Sequence, residues 1–150
     1  MEKHKIGEFL KTIELFLDLS GYEIEALSEH FYYKKYKKDE YLFKENHSRK
    51  NIFIIYNGKI EIFKTTAQLH EKSIGFFQSG DFLSEGAILD DHPHSTSAKC
   101  IEDCEILLMN REAVEELITT MPSLISKVLS RISRVMSRRL RIAASQAAGL

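Results

Sequence analysis

Gly80-Asp81-Phe82-Leu83-Ser84-Glu85-Gly86-Ala87-Ile88-Leu89, followed directly by Asp90-Asp91-His92-Pro93-His94-Ser95-Thr96-Ser97-Ala98, is the stretch that decides the fold. Its parts predict a strand ending at Phe77, a turn at Gly80-Asp81, one short helical turn near Glu85, and a loop entering a new strand at about Thr96. The first N–H groups of a helical turn have no partner inside it, so they suit an anion such as a phosphate. Ser84, Glu85, Gly86 and Ala87 are the candidate cradle, faced by His94, Ser95 and Thr96 from the loop.

On the N-terminal side, Phe9, Leu10, Ile13, Phe16 and Leu17 recur at three- and four-residue steps and predict an amphipathic helix from about Ile6 to Asp18. Ser20 reads as a cap for a second helix from about Tyr22 to Phe31. The period then changes to two. Tyr33, Tyr36, Tyr41, Phe43, Ile52, Ile54, Ile60, Ile62, Ile74 and Phe76 fall in short runs between charged turns, with Asn57-Gly58 as a hairpin signal. Strands resume over about Thr96–Ile101 and Glu105–Met109. Roughly eight strands without a crossover helix predict an antiparallel roll.

On the C-terminal side the period returns to that of a helix. Arg111 to Ile118 is a short helix, Pro122 permits a new start, and Leu124 to Ala147 is one long helix with the stripe Ile125, Leu129, Ile132, Met136, Leu140 and Ala143. The fold class is α+β, mainly β: an eight-stranded, jelly-roll-like antiparallel β-roll over about residues 32–110, with N-terminal helices and a long C-terminal helix over about 122–147. One domain over residues 1–150 is expected from the length. A stripe that long outruns a small roll, so pairing with a second copy through this helix is expected; folding back on its own domain is the alternative.

Charge and composition exclude several function classes. The 150 residues carry 21 basic and 22 acidic side chains, and six of the basic ones (Lys127, Arg131, Arg134, Arg138, Arg139, Arg141) lie after residue 120 with no acid among them. The first 120 residues thus hold 15 basic against 22 acidic side chains, a net charge of −7, which argues against a general nucleic-acid binder. The six are expected to be mostly a solvated face. Cys100 and Cys104 lack metal or redox spacing and read as small buried hydrophobes in a reducing cytoplasm. No segment resembles a signal peptide or reaches the roughly 20 apolar residues of a membrane span.

Gly80-Asp81, Glu85 and Pro93 through Ala98 resemble the phosphate-binding cassette of cyclic-nucleotide-binding domains. Leu15-Phe16, Leu19-Ser20, Asn57-Gly58-Lys59-Ile60 and Arg138-Arg139-Leu140 extend that likeness to the bacterial catabolite-activator (CRP/FNR-like) family over about residues 15–147. The resemblance implies a cytoplasmic, non-enzymatic regulatory sensor that dimerises through its last helix. It requires no cofactor, and its ligand would be a cyclic nucleotide (cAMP or cGMP) or another small anionic molecule. The family's helix-turn-helix would follow the long helix, and the sequence stops at Leu150, so DNA binding by this chain alone is not expected: the chain is either a regulator acting on an unknown protein partner or a fragment of a longer protein.

Three departures from the family pattern bear on the ligand. His94 stands where the family's arginine forks onto the phosphate; losing a charged hydrogen bond costs about 1.5–3 kcal/mol, or one to two orders of magnitude in affinity. Weak or absent cyclic-nucleotide binding is therefore expected, or binding through protonated His94 that tightens as pH falls through about 6.5. Ser84 replaces a glycine that lets backbone approach the ligand, and Ala143 and Ala144 replace hydroxyl residues that touch the base. Glu85 is kept, which in the family accepts from the ribose 2′-hydroxyl.

Other readings stay open for these residues. Glu85 also suits a helix brace, His94 an exposed loop, and Ser95, Thr96 and Ser97 a plain strand start. His92 and His94 with Gly86 match the opening of a cupin metal motif, but Ala98 and Lys99 occupy the places where its glutamate belongs, so no metal site is assigned. No Ser, His and Asp set has nucleophile spacing.

Overall fold

A computed structural model describes residues 1–84 and 90–150. Helix α1 (Lys3–Leu10) is shorter than the predicted helix to Asp18: after it the chain turns, and Glu14–Phe16 form a separate 3-10 turn. The Thr12 hydroxyl donates to the Phe9 carbonyl at 2.7 Å, a local bond that competes with helical continuation, and Ile13 is extended. The break turns Ile13, Leu15 and Phe16 all inward beside Ile6 and Leu10.

Helix α2 (Gly21–Ser28) opens on the expected Ser20 cap, as a full capping box: Ser20 Oγ accepts from Glu23 N, and Glu23 Oε1 accepts from Ser20 N. It ends three residues before the predicted Phe31. Lys3 Nζ donates to the carbonyls of Ser28, Glu29 and Phe31 at 3.3, 3.1 and 2.8 Å, meeting the C-terminal acceptors that a helix leaves open.

The strands are β1 (Tyr32–Tyr36), β2 (Tyr41–Phe43), β3 (Asn51–Asn57), β4 (Lys59–Thr65), β5 (Glu71–Gln78), β6 (Phe82–Leu83), β7 (Ser97–Cys100) and β8 (Cys104–Asn110). They form two four-stranded antiparallel sheets, ordered β1-β8-β3-β6 and β2-β7-β4-β5. The eight-stranded roll is thus present among the described residues. Asn57-Gly58, expected as a hairpin, is instead a corner: β3 belongs to one sheet and β4 to the other. Gly58 has φ +112°, and a Cβ there would lie 2.9 Å from Cys104 Cα, so the corner needs glycine both for its conformation and for the close approach. Cys100 and Cys104 flank the bend between β7 and β8, both buried as free thiols; burial pushes the Cys100 thiol up to about 12.

The alternation of β3 explains the layering. Ile52 and Ile54 face one core with Leu107, Met109 and the helices, while Phe53 and Ile55 face the roll interior with Ile60, Leu83, Ala98 and Ile106. The first sheet is therefore sandwiched, and β3 reads as an unbroken apolar run because both of its faces are covered.

Helix α3 (Arg111–Thr120) starts on the Asn110 side chain, which accepts from Ala113 N at 2.8 Å. Helix α4 (Pro122–Ala147) follows with proline in its first turn. Leu124, Ile125, Val128, Ile132 and Val135 are buried in the helical core, whereas Leu140 is 72% and Ile142 52% exposed. The predicted solvated basic face needs correction. Lys127 pairs with Glu23 at 2.7 Å, Arg131 forks onto Asp18 at 2.6 and 2.9 Å, and Arg138 reaches both oxygens of Glu14 at 2.9 and 2.8 Å. The acids missing from the C-terminal segment are supplied by the N-terminal one, which binds α4 along one side. No described helix is long and apolar enough to cross a membrane.

Candidate functional site

The Gly80-Asp81 turn forms as predicted and is tied to β3. Gly80 N donates to the Ile55 carbonyl at 2.9 Å, Ile55 N to the Asp81 carbonyl at 2.9 Å, and the Asp81 carboxylate accepts from Gln78 N at 2.8 Å. Gly80 has φ +93°, which a side chain would oppose. Strand β6 then delivers Ser84 to the edge of a cavity of about 840 Å3, within the range of roughly 300–1,000 Å3 typical of small-molecule sites. Ser84 itself has φ +62°, the left-handed conformation that the family's glycine suits.

Of the predicted site residues, Ser84, His94, Ser95 and Thr96 line this one cavity. Glu85, Gly86 and Ala87 lie outside the described residues. His94, for which an exposed loop position was one reading, is instead 5% exposed. Its ring stacks on Phe43 with centroids 4.0 Å apart and planes within 5°. Its Nδ1 is 3.5 Å from Ser84 Oγ, and its backbone is clamped to the β2–β3 loop: His94 N donates to the His47 carbonyl at 2.9 Å and Asn46 N to the His94 carbonyl at 2.8 Å.

This environment disfavours a protonated His94 in the arginine's place. Burial is the main cause, reinforced by the nearby charge of Arg49, and together they push the imidazole down to about 4. At neutral pH His94 is a flat, uncharged wall. The cupin reading fails as well: His92 is exposed with Nδ1 2.8 Å from the Pro93 carbonyl, and no cluster among the described residues could hold a metal ion.

Opposite the cassette residues, α4 contributes Met136, Arg139, Ile142 and Gln146. These four positions share one helix face, and Ala143 and Ala144, expected to stand at the base position, are not part of the lining. Arg139 lies over Phe77 and Phe82, its guanidinium carbon 5.4 and 4.7 Å from the ring centres. Ile74 and Phe76, both more than half exposed, form the side wall on β5.

The sequence reading missed Arg49 and Asp90, which also line the cavity. Arg49 Nη2 pairs with the Asp90 carboxylate and lies 3.4 Å from the Asp90 carbonyl. The available signal was compositional: Arg49 is the sole arginine of the first 110 residues, standing among thirteen lysines.

Residues 33–121 match the family described as "Cyclic nucleotide-binding domain". The chain is 26% identical over 113 residues to the "Cyclic AMP receptor protein" of Thermus thermophilus, a match covering 75% of this chain and 52% of the receptor. The chain thus spans about half the length of that relative. Among solved structures, the Thermus thermophilus catabolite activator protein superposes with a TM-score of 0.77 at 26% identity, covering 90% of this chain and 62% of that one. A cyclic nucleotide-binding domain from Methylobacillus flagellatus KT superposes with a TM-score of 0.83 at 24% identity, covering 96% and 81% of the two chains.

Proposed function

The chain belongs to the cyclic nucleotide-binding domain family, and from that premise we propose that residues 1–150 act as one non-enzymatic sensor, holding a small anionic ligand between the roll and α4. The observation that carries this reading is the shared lining. Ser84, His94, Ser95 and Thr96 form one wall of the cavity, and Met136, Arg139, Ile142 and Gln146 of the long helix form another. A ligand touching both walls favours whichever placement of α4 gives it more contacts, a population shift that turns occupancy into helix position.

The candidate ligands are a cyclic nucleotide bound weakly, cAMP or cGMP, or another anionic small molecule of similar size. An open cavity that no described side chain fills supports this over a ligand-free scaffold. The exposed Leu140 and Ile142 support pairing of α4 with a second copy, so that a shifted helix changes what the dimer presents to a protein partner.

Titration calorimetry with cAMP and cGMP at pH 7.5 and 6.0 tests the reading, with native mass spectrometry for mass and any retained molecule. The expected result is micromolar or weaker binding that is equal at the two pH values, because His94 is neutral at both. No heat with either nucleotide, together with no retained small molecule, would overturn the sensor function. A monomer by mass would overturn the pairing alone.

A further inference from the structure

The position to which the cassette pattern assigns a cation holds a buried imidazole, and the cavity lining carries two arginines, Arg139 on α4 and Arg49. We propose that Arg49, on the loop between β2 and β3, meets the anionic group of the ligand, and that the Asp90 carboxylate occupies that place until the ligand displaces it. The proposal rests on the reading of the cavity as a ligand site and names the residue that recognises the ligand's charge.

The geometry of the pair carries it. A guanidinium presents its Nε–H and one Nη–H as a fork that matches two oxygens of a single anion. Asp90 engages Nη2, while Arg49 Nε is buried with no hydrogen-bond partner among the described residues. A buried donor left open is costly, so the fork is half-used in a way that a better-placed anion would correct. A cyclic phosphodiester has two non-ester oxygens, one for each arm.

The neighbours make the exchange inexpensive. The Asp90 side chain is 62% exposed, so water can replace Arg49 at its carboxylate while Oδ1 keeps the bond it accepts from His92 N at 2.9 Å; Arg49 is only 15% exposed and has little room to follow. The segment itself stays anchored, because Arg111 Nη2 donates to the Asp90 carbonyl at 3.1 Å and pairs with Asp91. The clamp between Asn46-His47 and His94 fixes the Arg49 loop against the cassette wall. Arg49 lines the same cavity as Ser84, Ser95 and Thr96, whose hydroxyls would supply further donors to a phosphate.

Calorimetry of the full chain at pH 7.5 tests the assignment, using cAMP, cGMP and, as a probe without phosphate, adenosine. Arg49→Gln is expected to weaken binding of the cyclic nucleotide about 10- to 100-fold while changing adenosine binding less than threefold. Asp90→Asn is expected to tighten nucleotide binding about three- to tenfold, by removing the competing charge. A folded Arg49→Gln protein with nucleotide affinity within threefold of the parent overturns the proposal and leaves the sensor reading intact. Absence of nucleotide binding in both the parent and Asp90→Asn overturns the Arg49 assignment, and the sensor reading falls with it when native mass spectrometry also finds no retained small molecule. Should Arg49→Gln fail to fold, the Arg49 Nε–H resonance of the parent decides: it moves with nucleotide and not with adenosine, and an unmoved resonance at saturation refutes the role.

Discussion

From Pro122 to Val135, helix α4 presses Leu124, Ile125, Val128, Ile132 and Val135 into the core and is bound by Glu23 and Asp18. From Met136 onward the same helix exposes Leu140 and Ile142 and turns Met136, Arg139, Ile142 and Gln146 to the cavity. The inner half has many buried partners and little freedom. The outer half has few, so its position responds to weaker forces. A continuous helix carries both halves, so the proposed shift of α4 would pivot on an anchored end.

The largest test of this contrast removes matching apolar side chains from the two halves. Ile132→Ala is expected to lower unfolding free energy by about 2–5 kcal/mol, since it opens a cavity in packed core. Leu140→Ala is expected to stay within about 0.5 kcal/mol in the same urea denaturation, because Leu140 is already in water. A comparable loss at both positions would break the distinction.

Mild acid separates the cavity wall from the anchor. His94 has its folded pKa depressed below the free value, so the unfolded chain binds the extra proton first. Stability is full above about pH 6.5 and falls as pH drops towards 4, at most by about 1.4 kcal/mol per pH unit. Asp18 and Glu23 are also held below their usual carboxylate range, Asp18 chiefly by its bond from Arg131 and Glu23 chiefly by that from Lys127. Their contribution is present above the ordinary carboxylate pKa and is lost only below it. Between pH 6 and 5 the wall should weaken while the anchor holds. Histidine chemical shifts and melting curves over pH 4–7 check this, and a His94 midpoint near 6.5 would contradict it.

Smaller effects grade the ion pairs. Lys127→Ala is expected to cost about 1 kcal/mol, because it leaves the largely buried Glu23 without its cation; Arg138→Ala, on an exposed pair, is expected to cost under about 0.5 kcal/mol. Chemical denaturation of the two variants orders them, and equal losses would show that burial does not set the strength. Smallest is Ser84→Gly, expected to change stability by less than about 0.5 kcal/mol, in the stabilising direction, because relief of a left-handed serine is partly offset by the greater unfolded-chain freedom of glycine. A melting temperature that falls instead would mean the hydroxyl contact to His94 matters more than the backbone.

The parts of the fold legible from the sequence were those set by neighbouring residues. Gly80-Asp81 makes its turn, Ser20 and Glu23 make their capping box, and Pro122 starts its helix, because each needs only a few residues to be specified. Asn57-Gly58 misled for a physical reason: the pair specifies a backbone of positive φ, and says nothing about which sheet the next strand joins. The apolar period of the first helix likewise runs on through Ile13 and Phe16, although Ile13 is extended and Phe16 belongs to a 3-10 turn.

The site was half legible. Ser84, His94, Ser95 and Thr96 converge as their order suggested, but the burial of His94 depends on Phe43 and the clamp from the 46–47 loop, both about fifty residues upstream. Arg49 and Asp90 meet across 41 positions and belong to no motif. Long-range pairs of this kind leave no local pattern.

The charged contacts between the N-terminal segment and α4 lie away from the cavity lining. On the proposed mechanism, substitution at Glu14 or Asp18 would therefore change how much free energy is needed to shift the helix, while the residues of the cavity lining stay the same. A sensor of the proposed kind would acquire a new threshold in one step of evolution and a new ligand in another. Because the Glu14 and Asp18 pairs are exposed enough to be screened by salt, that threshold also moves with the ionic strength around the protein.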